Sequence, residues 1–195
     1  YESAVDSTIL DEIVEAIRTN IFISKSDATK MVLWAAHANV FRSFKATPRL
    51  IITAGTRGCG KTVTLNILKA MVNNAITDGD STPASFYTLS QDGDKAFFLD
   101  EVDSWIKGEG RCDLMNSLKS GFNQGGSAKR VEMAGGKRRV MTFGTHSAVA
   151  LAGIGLDSKL DPAVVERSHI IYLRKALRGD LSVRFDDRKH LGVFQ

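Results

Sequence analysis

The feature that most constrains the fold of this chain is a glycine-rich segment at positions 55–62, which reads Gly-Thr-Arg-Gly-Cys-Gly-Lys-Thr. A short apolar run precedes it, within a predicted strand at 49–54, and such a run is typical of a strand buried on both faces of a parallel sheet. After it, apolar residues recur at helical spacing over 63–72. Strand, glycine-rich turn and helix in this order predict an α/β fold with a parallel sheet.

The same segment matches the phosphate-binding pattern G-x-x-x-x-G-K-[ST] at every position. Glycines let backbone N–H groups converge on phosphate oxygens, and a helix N-terminus adds a favourable dipole. The ammonium of Lys61 can reach the β- and γ-phosphates, and the Thr62 hydroxyl can bind magnesium. A chance glycine-rich turn would not explain the matching strand and helix. We therefore expect ATP with Mg²⁺ to bind at Gly55, Thr56, Arg57, Gly58, Cys59, Gly60, Lys61, Thr62 and Val63.

A second apolar run, at 96–99, ends in the carboxylates Asp100 and Glu101. At the edge of a parallel sheet this pair would lie beside the bound phosphates. One acid can hold magnesium through its waters, and the other can polarise an attacking water. We assign Asp100 to the metal with Thr62, and Glu101 to catalysis with Lys61. The alternative is that the two acids belong to a solvated turn with no catalytic role. If they are functional, the second acid favours hydrolysis over phosphotransfer to a small molecule.

The positive charge of the chain is concentrated in one segment, 127–140. It carries five basic residues against Glu132, which gives +4 and equals the net charge of the whole chain. Extended segments at 128–133 and 137–143, joined by Ala134, Gly135 and Gly136, predict a β-hairpin. Clustered cations can bind nucleic-acid phosphates, or can keep a solvated hairpin from aggregating. The predicted DNA-binding residues are Lys129, Arg130, Lys137, Arg138 and Arg139.

Arg167 precedes a predicted strand at 169–173. An arginine at this place can reach the γ-phosphate bound to a neighbouring subunit and act as a catalytic arginine finger. A salt bridge to Glu166 or Asp161 is the alternative.

The rest of the chain completes a single-domain organisation, and 43% apolar content is enough for one core. We predict a helical N-terminal extension at 1–47, a core at 48–175 and a charged tail at 176–195. Within these parts, a helix follows Asp6 and Ser7, and a second runs from near Ser26 to about Phe41. The remaining predictions are a polar turn at 77–81, helices at 82–89 and 114–122, and a strand at 149–154.

Cysteine and histidine usage indicates a reducing compartment and no zinc site. Cys59 lies inside the glycine-rich segment, where a disulfide would interfere with a ligand, and Cys112 stands apart from it. The four histidines show no metal-ligand spacing. No apolar run is long enough to span a membrane and no leader is visible, so we expect a cytoplasmic protein. Because the chain begins with Tyr1, we expect an excised fragment.

The order of these motifs resembles the AAA+ ATPases. The order is the glycine-rich loop, Phe-Phe-Leu-Asp-Glu, the basic hairpin, Ala-Gly-Ile-Gly at 152–155 and Glu-Arg-Ser at 166–168. More narrowly, it resembles a domain-of-unknown-function ATPase group of phage, prophage and plasmid replication proteins. That resemblance spans roughly 22–188, and its matches are Leu33-Trp34 with His37, Thr47-Pro48-Arg49-Leu50, Thr82-Pro83-Ala84, 150–155 and Arg167-Ser168.

The resemblance implies a three-layer αβα P-loop core with an inserted β-hairpin and an oligomeric, ring-forming ATPase motor. The hairpin position is similar to that of the DNA-contacting hairpin of viral superfamily three helicases. Two features of the chain depart from the AAA+ pattern. Gly155 stands where many AAA+ proteins have a polar sensor, for which Thr145 and His146 are alternatives. The helical lid is absent, so weak binding and slow hydrolysis are expected of this chain.

Together these observations predict an ATP-driven DNA helicase or translocase in the replication of a mobile element. A protein-remodelling ATPase is one alternative, although such machines usually present an aromatic residue at the pore, and the predicted hairpin tip has none. A nucleotide-gated assembly module without motor activity is the other. Both remain open at this stage.

Overall fold

The computed structural model describes residues 7–77, 95–107, 111–134, 137–177 and 191–194. Within them the chain is an α/β protein. The strands are β1 (Arg49–Ala54), β2 (Ala75–Thr77), β3 (Ala96–Leu99), β4 (Ser127–Ala134), β5 (Lys137–Gly144), β6 (Ala148–Ile154) and β7 (Ser168–Leu173). The main sheet has five parallel strands in the order β2-β3-β6-β1-β7. A separate antiparallel pair, β4 and β5, forms a hairpin.

Helices cover both faces of the sheet. Successive side chains of a strand point to opposite faces, so the apolar residues of the buried strands need a covering layer on each side. Leu50 and Ile52 of β1 pack into one apolar cluster, and Ile51 packs into the opposite one. The first cluster contains residues of α1 (Ser7–Asn20), α2 (Lys25–Asn39) and α3 (Lys61–Ala70). The second contains residues of α4 (Val102–Trp105), α5 (Arg111–Ser120), α6 (Leu156–Lys159) and α7 (Pro162–Val165). The predicted α/β class with a parallel sheet is confirmed.

The N-terminal helices share their core with the sheet. Ser24 caps α2, because its hydroxyl oxygen accepts the Asp27 N–H at 3.0 Å. Trp34 donates its indole N–H to the Pro48 carbonyl at 2.9 Å, and its ring meets Phe98 edge-on at 6.1 Å. The predicted second helix is confirmed, although it ends at Asn39, and Phe41 belongs to a short 3-10 turn.

Strand β2 is an element that the sequence did not predict. The sequence predicts a polar turn from residue 77, whereas in the structure a three-residue strand that pairs with β3 ends there. Three residues are too few to show a periodic pattern. The helix predicted at 82–89 lies outside the described residues. None of the helices that the structure does describe is long and apolar enough to cross a membrane.

A buried arginine joins the amino ends of β1 and β6 to the end of α5. Arg49 is fully buried and donates hydrogen bonds to the carbonyls of Leu118 and Ser147. Leu118 lies in the last turn of α5, where carbonyls lack helical partners and the helix dipole favours a cation. Burial lowers the pKa of the Arg49 guanidinium to about 9, so it stays charged at neutral pH. This junction fixes α5 and β6 relative to β1.

Candidate functional site

The candidate site lies at the carboxyl edge of the sheet, where β1 and β6 end side by side. The chain leaves β1 for α3 on one face and leaves β6 for α6 on the other. Ligands of open α/β sheets bind in the crevice that such a divergence creates. Here it is an open cleft of about 610 Å³. Its walls are the glycine-rich loop and the first turn of α3, the turn after β3, and Ile154.

Two glycines of the loop have backbone conformations that other residues avoid. Gly58 has a φ of 74° and Gly60 a φ of 85°, both in the left-handed region. A side chain would find open space at either position, so the requirement for glycine comes from the backbone. Gly60 is the N-cap of α3. The first N–H groups of α3 therefore lie at the cleft, and a helix N-terminus favours an anion there.

The remaining loop residues divide between the cleft and the core. Lys61 lines the cleft, and its ammonium donates to the Thr56 carbonyl at 3.3 Å, which folds the side chain back over the loop. Arg57 is exposed at the cleft, and Val63 lines it while packing against the core. Cys59 is only 7% exposed and belongs to the apolar cluster. Its thiol lies 3.4 Å from the Thr56 hydroxyl, so its side chain anchors the loop.

The loop and the acidic strand end meet directly. The Thr62 hydroxyl donates a hydrogen bond to the Asp100 carboxylate, with 2.7 Å between Oγ1 and Oδ2, although the residues are 38 positions apart in the chain. The other oxygen of Asp100 accepts the Glu101 N–H at 2.8 Å. A hydroxyl and a carboxylate at this spacing are ligands that Mg²⁺ accepts when substrate phosphates complete its coordination. The predicted metal residues thus lie together.

Glu101 has a strained backbone. Its φ of 50° and ψ of 31° place a non-glycine residue in the left-handed region, and it is the N-cap of α4. The N–H and the hydroxyl of Ser104 both donate to the Glu101 carbonyl at 2.8 Å, and fully buried Val102 anchors the next position. Strain of this kind persists where the surroundings over-determine it, and it is concentrated at functional sites. The exposed Glu101 carboxylate borders the cleft.

The basic hairpin lies at the opposite end of the sheet, between the end of α5 and the start of β6. Lys129, Arg138 and Arg139 are exposed, but they do not share a face. Register places Lys129 and Arg138 on the face that also carries the exposed cross-strand pair Val131 and Val140. Arg139 lies on the other face. The side chains of Arg130 and Lys137 lie outside the described part of the chain.

Arg167 also lies at the amino edge of the sheet. It follows α7, and its backbone carbonyl accepts the Arg49 N–H at the start of β1. Its guanidinium stacks over Phe122 at 5.3 Å and makes a long hydrogen bond of 3.5 Å to the Lys119 carbonyl. Asp161 pairs instead with Lys119 at 3.0 Å. Because β1 spans roughly 20 Å, Arg167 is remote from the cleft of its own chain.

The structure does not support the alternatives for a polar sensor at the end of β6. Thr145 and His146 come before β6, so they lie at its amino end, away from the cleft. Thr145 is buried, and its hydroxyl lies 2.9 Å from the Ser120 hydroxyl. His146 Nδ1 lies 3.2 Å from the Gly121 carbonyl. Both side chains therefore contact the end of α5 and its following turn, and the suggestion of a sensor role for them is wrong.

Two residues of the cleft, Asp103 and Ser104, were missed by the sequence analysis. Both lie in α4 and line the cleft directly behind Glu101. Asp103 reads as one more surface acid in a segment rich in acids. One signal in the sequence could have identified it. Asp103 lies two residues after Glu101, and a helix that starts directly after the acid pair keeps its first turn beside the cleft.

No protein-family model matches the sequence, and a search of the curated proteins finds no match either. The assignment of a function to this chain therefore depends on the geometry and the chemistry of the cleft.

We predict that Glu101→Gly raises the free energy of unfolding by about 0.5–1 kcal/mol relative to Glu101→Gln, because glycine relieves the left-handed strain. Glu101→Gln removes the same charge but keeps the strain, so the difference between the two variants isolates the backbone effect. Chemical denaturation measures it. A Glu101→Gly variant that is no more stable than Glu101→Gln would contradict the strained backbone.

Proposed function

We propose that this chain is an ATP-binding and ATP-hydrolysing, AAA+-like P-loop motor domain that works as a DNA helicase or translocase in phage or plasmid replication. The observation that carries the proposal is the 2.7 Å contact between Thr62 and Asp100. It joins the phosphate-binding loop pattern to the acidic strand end in one cleft. The parallel sheet, with the hairpin between α5 and β6, supports the AAA+-like assignment.

Nucleotide binding uses the backbone of the loop and the charge of Lys61. The N–H groups at the start of α3 cradle the phosphates, and Lys61 leaves the Thr56 carbonyl to contact the β- and γ-oxygens. Thr62 and Asp100 would hold Mg²⁺, and the fit rests on their oxygen donors at one end of the cleft. When bound, the ion neutralises the charge of the β- and γ-phosphates.

Hydrolysis requires a base beside the phosphates, and Glu101 has that place. Its exposed carboxylate accepts a proton from the attacking water, while the strained turn keeps it at the mouth of the cleft. Arg167 lies too far from its own cleft to take part there, so it acts on a neighbouring subunit in a ring. In that arrangement each subunit supplies an arginine finger to the next.

DNA binding is assigned to the hairpin. The exposed cations Lys129, Arg138 and Arg139 contact nucleic-acid phosphates without reading sequence. A second candidate function rests on another observation on the same hairpin. Val131 and Val140 are 59% and 64% exposed and face each other across the strands. An exposed apolar pair suits contact with polypeptide, which favours a protein-remodelling or assembly ATPase as the alternative.

We predict that Lys61→Ala abolishes ATP binding or turnover, because the loop loses the ammonium group that is proposed to contact the β- and γ-phosphates. Glu101→Gln should keep ATP binding and lower turnover by roughly 10²- to 10⁴-fold, the usual contribution of a general base. Titration with a fluorescent ATP analogue and steady-state phosphate release measure the two quantities. Unchanged hydrolysis in either variant would remove the role from that residue.

We predict that single-stranded DNA stimulates hydrolysis and binds in a salt-dependent manner. Arg138→Ala and Arg139→Ala should each reduce the slope of log K against log salt by roughly 0.7–0.9, because each removes about one phosphate contact. Arg18→Ala, an exposed arginine on α1, is the matched control and should leave the slope unchanged. Assembly with ATP but without DNA binding at low salt would favour the alternative function.

A further inference from the structure

Helix α4 is too short to hold the acid turn in place by itself. It has four residues, Val102–Trp105, and isolated helices of that length are unstable. Glu101, directly before it, has a left-handed backbone that relaxes to a more favourable conformation unless neighbouring contacts prevent this. Some contact from α4 to the sheet must therefore fix the orientation of the turn.

Buried Val102 packs against the sheet, and Asp103 adds a polar contact to it. Its carboxylate oxygen Oδ1 accepts the N–H of Ile154, the last residue of β6, at 3.0 Å. The side chain is half-buried and lines the cleft. Ile154 and Gly155 contribute no polar side chain at the end of β6, so Asp103 supplies the polar group there.

Gly153 permits this close approach. A Cβ atom at position 153 would lie 2.7 Å from Asp103 Oδ1, 2.8 Å from Leu156 Cδ2 and 3.1 Å from Asp103 N. The first distance is shorter than any van der Waals contact, so a side chain at 153 would push the carboxylate away. The packing of α4 against β6 therefore requires glycine at 153 if the Asp103 carboxylate is to reach the Ile154 N–H.

The end of β6 is in turn tied to β1. The Gly155 N–H donates to the Ala54 carbonyl at 3.2 Å, and the Leu156 N–H donates to the Thr53 hydroxyl at 3.0 Å. Ala54 directly precedes the glycine-rich loop. Hydrogen bonds thus link the end of β1, directly before the loop, to the end of β6, and the end of β6 to Asp103, directly after the acid turn.

We propose that Asp103 is a positioning residue for hydrolysis: its hydrogen bond to Ile154 holds the Glu101 carboxylate at the distance from the loop that the reaction needs. The inference rests on the proposed ATPase function. Asp103 acts through Glu101 and does not bind the phosphates, so its loss changes turnover and leaves nucleotide binding intact.

The test compares Asp103→Ala with Asp103→Asn. Asp103→Ala removes the acceptor and should lower kcat by roughly 100-fold, as a displacement of about 1 Å in a catalytic group does, with KM and ATP affinity unchanged. Asp103→Asn keeps an oxygen that accepts the Ile154 N–H and should restore most of kcat. A purely structural role would instead alter binding and turnover together.

Gly153→Ala provides a second variant, because its methyl group crowds the Asp103 carboxylate without removing it, although it also crowds the Cδ2 methyl group of buried Leu156. It should reproduce the loss of kcat at unchanged ATP affinity. Gly192→Ala is the matched control, since an added Cβ there meets nothing within 4 Å, and it should keep wild-type turnover. Thermal unfolding of each variant verifies that it folds. If Asp103→Ala does not fold, Asp103→Asn and Gly153→Ala decide the question.

The outcomes separate this inference from the proposed function. Wild-type turnover in Asp103→Ala or in Gly153→Ala would overturn the positioning role alone. Equal losses in Asp103→Asn and Asp103→Ala would overturn it as well, because charge and not the hydrogen bond would then matter. Absence of ATP binding and hydrolysis in the folded wild-type chain would overturn the proposed function, and the positioning role with it.

Discussion

A hydrogen bond from the Thr62 hydroxyl to the Asp100 carboxylate is the contact on which the site depends. For this bond to form, the start of α3, which follows β1, must lie beside the end of β3, although β6 lies between β1 and β3 in the sheet. Buried β6 makes this possible, because its chain leaves on the opposite face from α3 and opens the crevice. Every chemical role proposed for the cleft uses this meeting of a backbone cradle with two carboxylates.

The two ends of the sheet carry different chemistry. Acids and the glycine-rich loop lie at the carboxyl edge, whereas the hairpin and Arg167 lie at the amino edge, roughly 20 Å away along β1. Arg49 ties that amino edge together through carbonyls of α5 and of the segment before β6. Under the proposed motor function, a change at the nucleotide is passed to DNA through rigid strands and a neighbouring subunit. Direct contact within one chain is not needed.

Much of this arrangement could be predicted from the sequence, because the signals were local. The apolar runs of β1 and β3, the loop pattern and the Gly-Gly hairpin turn each identify their element without tertiary information. What escaped depends on contacts between distant residues. Asp103 acquires its place through Ile154, which is 51 positions away. Thr145 and His146 precede β6 in the chain, so a parallel strand already places them at its amino end, and only their contacts with the end of α5 needed the structure. Three-residue β2 carries no periodic signal.

The central claim is that the loop at 55–62 and Asp100 together bind a nucleotide with its metal. The most direct measurement is a crystal structure of the chain with Mg²⁺ and a non-hydrolysable ATP analogue. We expect the phosphates against the backbone N–H groups at the start of α3, with Mg²⁺ at about 2.1 Å from the Thr62 hydroxyl oxygen and Asp100 beside it. An analogue bound elsewhere while this cradle stays empty would contradict the account.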